Sequence, residues 1–320
     1  MSSGLVSKIK KYASRIEIEM RIAAAYSRAA ATAGIRSVDP TKPTSWEFAG
    51  FSQHGEDGII DYLCSRMLTR NRFFVEIGAA DGLENCTAWL ARARGYGGVM
   101  VDGNPILVER CRQSLENRIW NVHPVHLMVN VENVAALMKM CPYQDPDVFV
   151  LDIDGIDFHV MKQVLKLGFR PKLIVVEYNS AFGPDRAVTV PYKPRFSRWE
   201  THPNGLFYGV SIAGWRNLMN QHRYSFVTVE TSGTNAFFLD EAGFPEGFAP
   251  AIQGISFLDN LGDRNGATSP YQDSSGDLVL CRCGIGGCSS SNWPSWSLSK
   301  SCNQGMALAN REAWERACHS

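Results

Sequence analysis

The stretch that most restricts how this chain can fold is Phe73-Phe74-Val75-Glu76-Ile77-Gly78-Ala79-Ala80-Asp81-Gly82, followed by Gly98-Val99-Met100-Val101-Asp102. A short apolar run ending in glycine reads as a buried strand. The loop from Ala79 to Leu83 leads into a segment carrying Trp89 and Leu90, which reads as a helix, and the second apolar run ends in an acid. Two such strands joined through a helix lie parallel, because parallel neighbours require a crossover. A parallel sheet buries both faces and needs helices on each side of it.

The alternation continues. A helix is expected from Ile106 to about Asn117, and a strand around Val125 to Val129. Val148 to Leu151 ends at Asp152, a helix runs from about Phe158 to Leu167 before Gly168, and Leu173 to Val176 runs into Glu177. After a helix from about Ser211 to His222, Tyr224–Glu230 and Asn235–Leu239 flank Thr231-Ser232-Gly233-Thr234, the pattern of an antiparallel hairpin. Five parallel strands closed by a terminal hairpin predict an α/β fold with a Rossmann-like class I methyltransferase sheet.

Around this unit the chain divides into three expected parts: an N-terminal helical extension and linker over 1–48, the sheet domain over 49–242, and a Gly/Ser/Cys-rich extension over 243–320. Residues 1 to about 34 are rich in alanine, isoleucine, lysine and arginine, and Pro40 and Pro43 mark the linker. That first helix is a candidate surface for the main domain or for a second copy of the chain, ahead of a membrane surface, since acidic residues interrupt its basic face. Lys8, Lys10, Lys11 and Arg15 break up any signal-peptide core. No run approaches the roughly 18 apolar residues of a membrane span, so the expected address is the cytoplasm. Lysine plus arginine and aspartate plus glutamate number 32 each, so no general basic field points to nucleic acid. Five of the nine cysteines fall at Cys281, Cys283, Cys288, Cys302 and Cys318; their spacing reads as a flap with free thiols ahead of a zinc site. Trp293 and Trp296 could stack on sugar rings or pack on the core, and a last helix is expected over Met306 to Ala317.

The chemistry concentrates in the glycine loop. Gly78 lets the backbone turn off the strand, and Gly82 lets ligand and helix approach closely. A dinucleotide-binding loop has a further glycine where this chain has Glu76. A carboxylate there repels a pyrophosphate and attracts the ammonium of a methionine moiety, which favours S-adenosylmethionine (SAM) over a nicotinamide cofactor. Asp102, at the end of the next strand, is placed to accept hydrogen bonds from ribose hydroxyls. The expected cofactor-binding set is Glu76, Gly78, Ala79, Asp81, Gly82, Asp102 and Asn104.

Further acids stand at the other strand ends. Asp152, Asp154 and Asp157 follow the fourth strand, and Glu177 and Asn179 follow the fifth. Ligands of open parallel sheets bind beyond these carboxyl ends. Asp152, Asp154, Glu177 and Asn179 form a candidate oxygen-ligand set for Mg²⁺ or Mn²⁺, which would orient and acidify an acceptor hydroxyl. Alternatively Asp152 or Asp154 acts as a general base without metal. Asp157 also reads as a helix cap. Among the histidines near these segments, His54, His159 and His202, the first choice for a catalytic role is His159, little more than one turn beyond Asp154.

Phe74 to Gly82, Asp102 before Asn104-Pro105, and Asp152-Ile153-Asp154-Gly155-Ile156-Asp157 together resemble the FkbM-type SAM-dependent methyltransferases, with Glu177 matching the acid that ends their fifth strand. Ser52-Gln53-His54-Gly55-Glu56-Asp57-Gly58 and Gly233 to Leu239 resemble a bacterial subset of that family associated with surface-glycan loci. The likeness spans about residues 50 to 240. Aspartates stand at 154 and 157 where the family more often has glutamates, and Gly103 and Asn104 intervene before Pro105. The resemblance implies O-methylation of a sugar hydroxyl of a glycan or glycoconjugate, or of a polyketide-type hydroxyl. Glu76, Gly78 and Asp102 would hold SAM, and Asp152, Asp154 and Glu177 would face the acceptor. The rivals are methylation of a small secondary metabolite and a non-catalytic SAM-binding module in a glycan-assembly complex; a nicotinamide oxidoreductase ranks last because of Glu76.

Overall fold

The computed structural model describes residues 3–33, 35–116, 121–201, 205–260 and 281–282. Along these the order is α1 (Ser3–Ala33), α2 (Glu56–Arg66), β1 (Phe73–Ile77), α3 (Ala88–Arg94), β2 (Gly97–Asp102), α4 (Pro105–Leu115), β3 (Val122–His126), α5 (Val134–Met138), β4 (Val148–Leu151), α6 (Asp157–Lys166) and β5 (Leu173–Glu177). Then come β6 (Val188–Thr189), α7 (Arg198–Thr201), α8 (Ile212–Gln221), β7 (Tyr224–Val229), β8 (Asn235–Asp240), α9 (Phe248–Ala251) and β9 (Cys281–Arg282).

Seven strands form one sheet in the order β3-β2-β1-β4-β5-β8-β7. The first five are mutually parallel, and β8 runs antiparallel to both β5 and β7. This is the Rossmann-like α/β arrangement of five parallel strands closed by an antiparallel hairpin that the sequence leads one to expect. Because side chains alternate across a strand, the sheet carries two cores. Val75, Ile77, Phe149, Leu151, Ile174, Val176 and Phe238 pack with α5, α6 and α8 on one face. Phe74, Val148, Val150, Leu173, Val175, Phe237 and Leu239 pack with α2, α3 and Cys111 of α4 on the other. The winding reverses between β1 and β4, which are adjacent although β2 and β3 intervene in sequence. Ligand crevices open at such a switch point.

Three differences from the sequence reading have physical reasons. The third strand lies at Val122–His126, earlier than the expected Val125–Val129. It is the edge strand beside β2, and Leu127, Met128 and Val129 turn off its end into the cleft wall. A small sheet of β6 and β9 was not anticipated, since two-residue strands carry no periodicity. The chain beyond Gly243 returns to the domain: Phe248, Ala249 and Ile252 pack on one core, Ile255, Phe257 and Leu258 on the other, and Val229 donates its N–H to the Ile255 carbonyl at 3.0 Å. Cys283, Cys288, Cys302, Cys318, Trp293, Trp296, the Met306–Ala317 helix and His202 lie outside the described residues. No helix among the described residues is long and apolar enough to cross a membrane.

Asp57 on α2 ties the chain entry to the sheet domain. Its Oδ2 accepts the backbone N–H groups of Gly50, Phe51 and Ser52 at 2.8, 2.6 and 3.0 Å. Burial nevertheless pushes its pKa up to about 7, and burial pushes Glu230, beside β8, to about 7 as well. A folded-state value above the ordinary carboxylate range means the fold favours the proton, so this stability is complete only below the unfolded value of 3.8 and is lost as pH rises from there through about 7. The urea midpoint is expected to fall between about pH 4 and about pH 7 and then to level off. Asp57→Asn, which keeps an acceptor oxygen for the three N–H groups, should flatten the slope; a midpoint that rises with pH would contradict this account.

Candidate active site at the carboxyl ends of the strands

A cleft of about 690 Å³ opens where β1, β2 and β4 end, at the switch point. Its construction starts at Gly78, whose φ is +95° and whose added Cβ would stand 1.6 Å from the Asp152 carbonyl oxygen. Only glycine tolerates both the conformation and the approach. The N–H groups of Gly78 and Ala79 both reach the Val101 carbonyl, at 2.8 and 3.0 Å, which pins the loop to the end of β2. Two non-glycine residues on the cleft wall, Ala80 and Asp154, hold positive φ of 47° and 54°. Such strained backbone is concentrated at functional sites.

The cleft gathers several of the sequence-derived residues. Asp102 lines it and braces its own loop, Oδ2 accepting from Ala80 N at 2.9 Å and Oδ1 from Asn104 N at 2.7 Å. Asn104 lines it too, but its Oδ1 accepts from Ile106 N at 2.9 Å and caps α4. Glu76 reaches the cleft from the floor, where its carboxylate accepts from Asn85 Nδ2, Cys86 N (2.9 Å), Thr87 N (3.1 Å) and Thr87 Oγ1. Burial raises its pKa to about 7 despite these bonds. Glu76 therefore fixes the 85–87 loop, and that loop presents Asn85 to the cleft.

Asp152 and Asp154 also line the cleft, with Glu177 buried behind Asp152. One carboxylate oxygen from each of the three lies within 4.8 Å of the others. Burial first, and repulsion by the neighbouring carboxylates second, push Asp152 and Glu177 well above the ordinary carboxylate range, and the two carboxyls hydrogen-bond to each other. Glu177 Oε1 also accepts from the Tyr208 hydroxyl at 3.2 Å. Arg198, which does not line the cleft, pairs its guanidinium with Asp154 and stacks 3.9 Å from the centre of the Tyr208 ring. Asp157 accepts from Ile153 N at 2.9 Å and Gly155 N at 2.8 Å, latching the turn at the start of α6.

Other expected residues lie elsewhere. Asp81 points away from the cleft to α1, meeting Arg21 Nη1 at 2.5 Å and accepting from Leu83 N at 3.1 Å. Ala79 is buried beneath the loop, and Gly82 packs on Cys111, where a Cβ would come within 2.6 Å of its sulfur. His159 does not line the cleft: its Nε2 meets the Val190 carbonyl at 2.9 Å, and burial lowers its pKa. Asn179 is separated from the carboxylates by its own bonds, donating to the carbonyls of Leu206 and Tyr208 and accepting from Ala181 N. A sequence pattern gives a residue's place on a strand end but not the direction its side chain takes once a nearby partner competes for it.

The cleft also contains residues that the sequence did not single out. Glu56 Oε1 accepts from Asn235 Nδ2 at 2.8 Å, joining α2 to the start of β8. Asn85 and Asn235 are both buried at the cleft, and the Oδ1 of each has no hydrogen-bond partner in the protein. Buried polar atoms are rarely left unsatisfied, so two orphaned acceptors on one wall mark the place of a donor. Counting the described residues around the cleft, Glu56, Glu76, Glu84, Asp102, Asp152 and Asp154 are acidic and none is basic.

No family model matches the sequence, and no curated protein matches it. Solved structures that the chain is similar to include the Bacillus cereus O-methyltransferase in complex with SAH, at 18% identity over 71% of this chain and 90% of that one, with a TM-score of 0.39. The CurJ carbon methyltransferase is 12% identical over 74% of this chain and 69% of its own, with a TM-score of 0.40. The O-methyltransferase TomG from Streptomyces achromogenes, in complex with SAM, is 19% identical over 52% and 71%, with a TM-score of 0.33. At these identities and scores, the question of function rests on the cleft residues themselves.

The placement of Asp81 generates a prediction. Arg21→Ala removes the cation by which α1 holds Asp81, leaving Arg110 of α4 at 3.7 Å, and should raise hydrogen exchange of the α1 amides roughly tenfold or more, leaving the sheet amides unchanged. Unaltered exchange in α1 would show that the ion pair does not hold the helix.

Proposed function

We propose that this protein is a SAM-dependent O-methyltransferase whose acceptor is a sugar hydroxyl of a glycan or glycoconjugate. The observation that carries the reading is the acidic lining of the cleft, with its two orphaned acceptors and no Lys, Arg or His among the described residues that line it. Such a wall repels the pyrophosphate of a nicotinamide cofactor and attracts the ammonium and sulfonium of SAM. The residues fit that molecule. Asp102 ends β2 where ribose hydroxyls meet a carboxylate. Gly103, where a Cβ would meet Met128 Cε at 2.8 Å, opens an apolar slot with Leu127 and Met128 for a flat base. Asn85 Oδ1 and Asn235 Oδ1 are the acceptors for the ammonium, so Glu76 acts on the cofactor by positioning Asn85. When bound, SAM supplies an electrophilic methyl group.

The chain's part is then to orient and deprotonate the acceptor. Asp152, held above the ordinary carboxylate range by burial and by its neighbours, is the base, since a carboxylate with a raised pKa takes up a proton more readily at neutral pH. Glu177 beside it acts as the partner in that carboxyl pair. Phe196 offers a ring face on the acceptor side, and Asp154, paired with Arg198, offers a carboxylate for neighbouring hydroxyls. A second reading rests on the convergence of Asp152, Asp154 and Glu177: the three would hold Mg²⁺ or Mn²⁺ if Arg198 released Asp154. Methyl transfer that survives EDTA would leave Asp152 as base without an ion.

Calorimetric titration tests the reading. SAM should bind saturably, NADH should not, and Asp102→Ala should weaken SAM by roughly tenfold or more, about 1.4 kcal/mol. With methyl-labelled SAM, label should enter isolated glycan in preference to small phenolic acceptors, and Asp152→Asn should slow transfer by about 10²-fold or more while still binding SAM. Tight NADH binding, or no SAM binding in any condition, would overturn the proposal; transfer confined to small acceptors would move the acceptor to the secondary-metabolite class.

A further inference from the structure

The long first helix is docked over only part of its length. Ile18, Ile22 and Ala25 are buried against Phe51, Leu83 and Ala88. On the preceding turns Leu5, Ile9, Tyr12, Ile16 and Met20 remain 49, 55, 69, 43 and 67% exposed. Their spacing of four, three, four and four residues places them in one stripe. At about 100° per residue that stripe faces away from the side carrying Ile18, Ile22 and Ala25. A row of large apolar side chains, open to water on a helix of 31 residues, marks a surface that something covers.

The charges flanking the stripe are one-sided. Up to residue 16 the helix segment contains Lys8, Lys10, Lys11 and Arg15 and no acid, the first being Glu17. Glu17 pairs with Arg110 of α4, its Oε1 2.6 Å from Nη2, and the exposed Glu19 stands beside Met20 at the far end of the stripe. Along Leu5–Ile16 the stripe is bordered on one side by Lys8 and Arg15 and by no acid, so a second copy paired over that stretch gains no opposite charge from them. An apolar stripe with a basic border matches the interface of a bilayer that carries anionic lipid.

We propose that the first half of α1 is an in-plane anchor for an anionic phospholipid surface. Leu5, Ile9, Tyr12, Ile16 and Met20 enter the headgroup boundary, and the basic residues contact lipid phosphates. The helix docks beside the cleft, since Arg21 reaches both Asp81 and the cleft residue Glu84. The surface reading stands on the helix alone and is independent of what the cleft binds.

Sedimentation of the full chain with vesicles tests it. The protein should pellet with vesicles containing phosphatidylglycerol and remain in the supernatant with pure phosphatidylcholine, and high salt should release it. Ile9→Glu with Ile16→Glu should abolish pelleting. Lys8→Glu with Arg15→Glu should weaken it roughly tenfold or more. These positions lie outside the buried face, so thermal melts of all variants should match the parent and exclude misfolding as the cause. No pelleting with either vesicle overturns the proposal. So does a doubled solution mass that Ile9→Glu with Ile16→Glu returns to one chain in the absence of vesicle binding, which would give the stripe to a second copy.

Discussion

The cleft depends on one close contact, between the α-carbon of Gly78 and the carbonyl of Asp152. With any side chain at 78 the two strand ends would be forced apart, because a Cβ would lie 1.6 Å from that oxygen. The approach lets β1 and β4 pair through their last residues, Ile77 opposite Leu151, before the chains diverge. Divergence at that point is what opens the sheet, since the helices after β1 and β4 depart to opposite faces. The same contact sets Glu76 and Asp152 side by side in the walls of one cleft. A backbone constraint thus determines where charge accumulates.

Accumulating that charge is costly without compensation, because a buried carboxylate loses its hydration. Glu76 recovers part of it through the Asn85–Thr87 loop, Asp57 through three backbone N–H groups and Asp157 through two. Asp152 and Glu177 have mainly each other, and their elevation above the ordinary carboxylate range is the outcome. The acids of this domain therefore divide into those that brace loops and those held in reserve at the cleft. The proposed base belongs to the second kind, and a cation arriving in the cleft would relieve a repulsion already present.

Much of this was legible in the sequence. β2 and β4 end in the residues that the apolar runs indicated, and Asp102, Asp152 and Asp154 stand on the cleft wall because a strand end fixes where a side chain begins. What the sequence hid was competition among partners. Asp81 follows the loop glycine as a ligand contact would, but Arg21 lies sixty residues earlier and takes it. Asn179 follows its strand as a metal ligand would, yet the carbonyls of Leu206 and Tyr208 claim its amide. Asn85 and Asn235 carry no motif and are brought to the same wall only by the fold. The open stripe of α1 was equally hidden, since apolar residues at helical spacing look the same in sequence whether covered or bare.

A crystal structure with SAH tests the central claim, that the acidic cleft is a SAM site, most directly. The account predicts ribose hydroxyls at the Asp102 carboxylate, adenine in the slot beside Met128, and the amino group donating to Asn85 Oδ1 and Asn235 Oδ1. A ligand bound outside the cleft, or one lying there with its amino group turned from both asparagines, would contradict it.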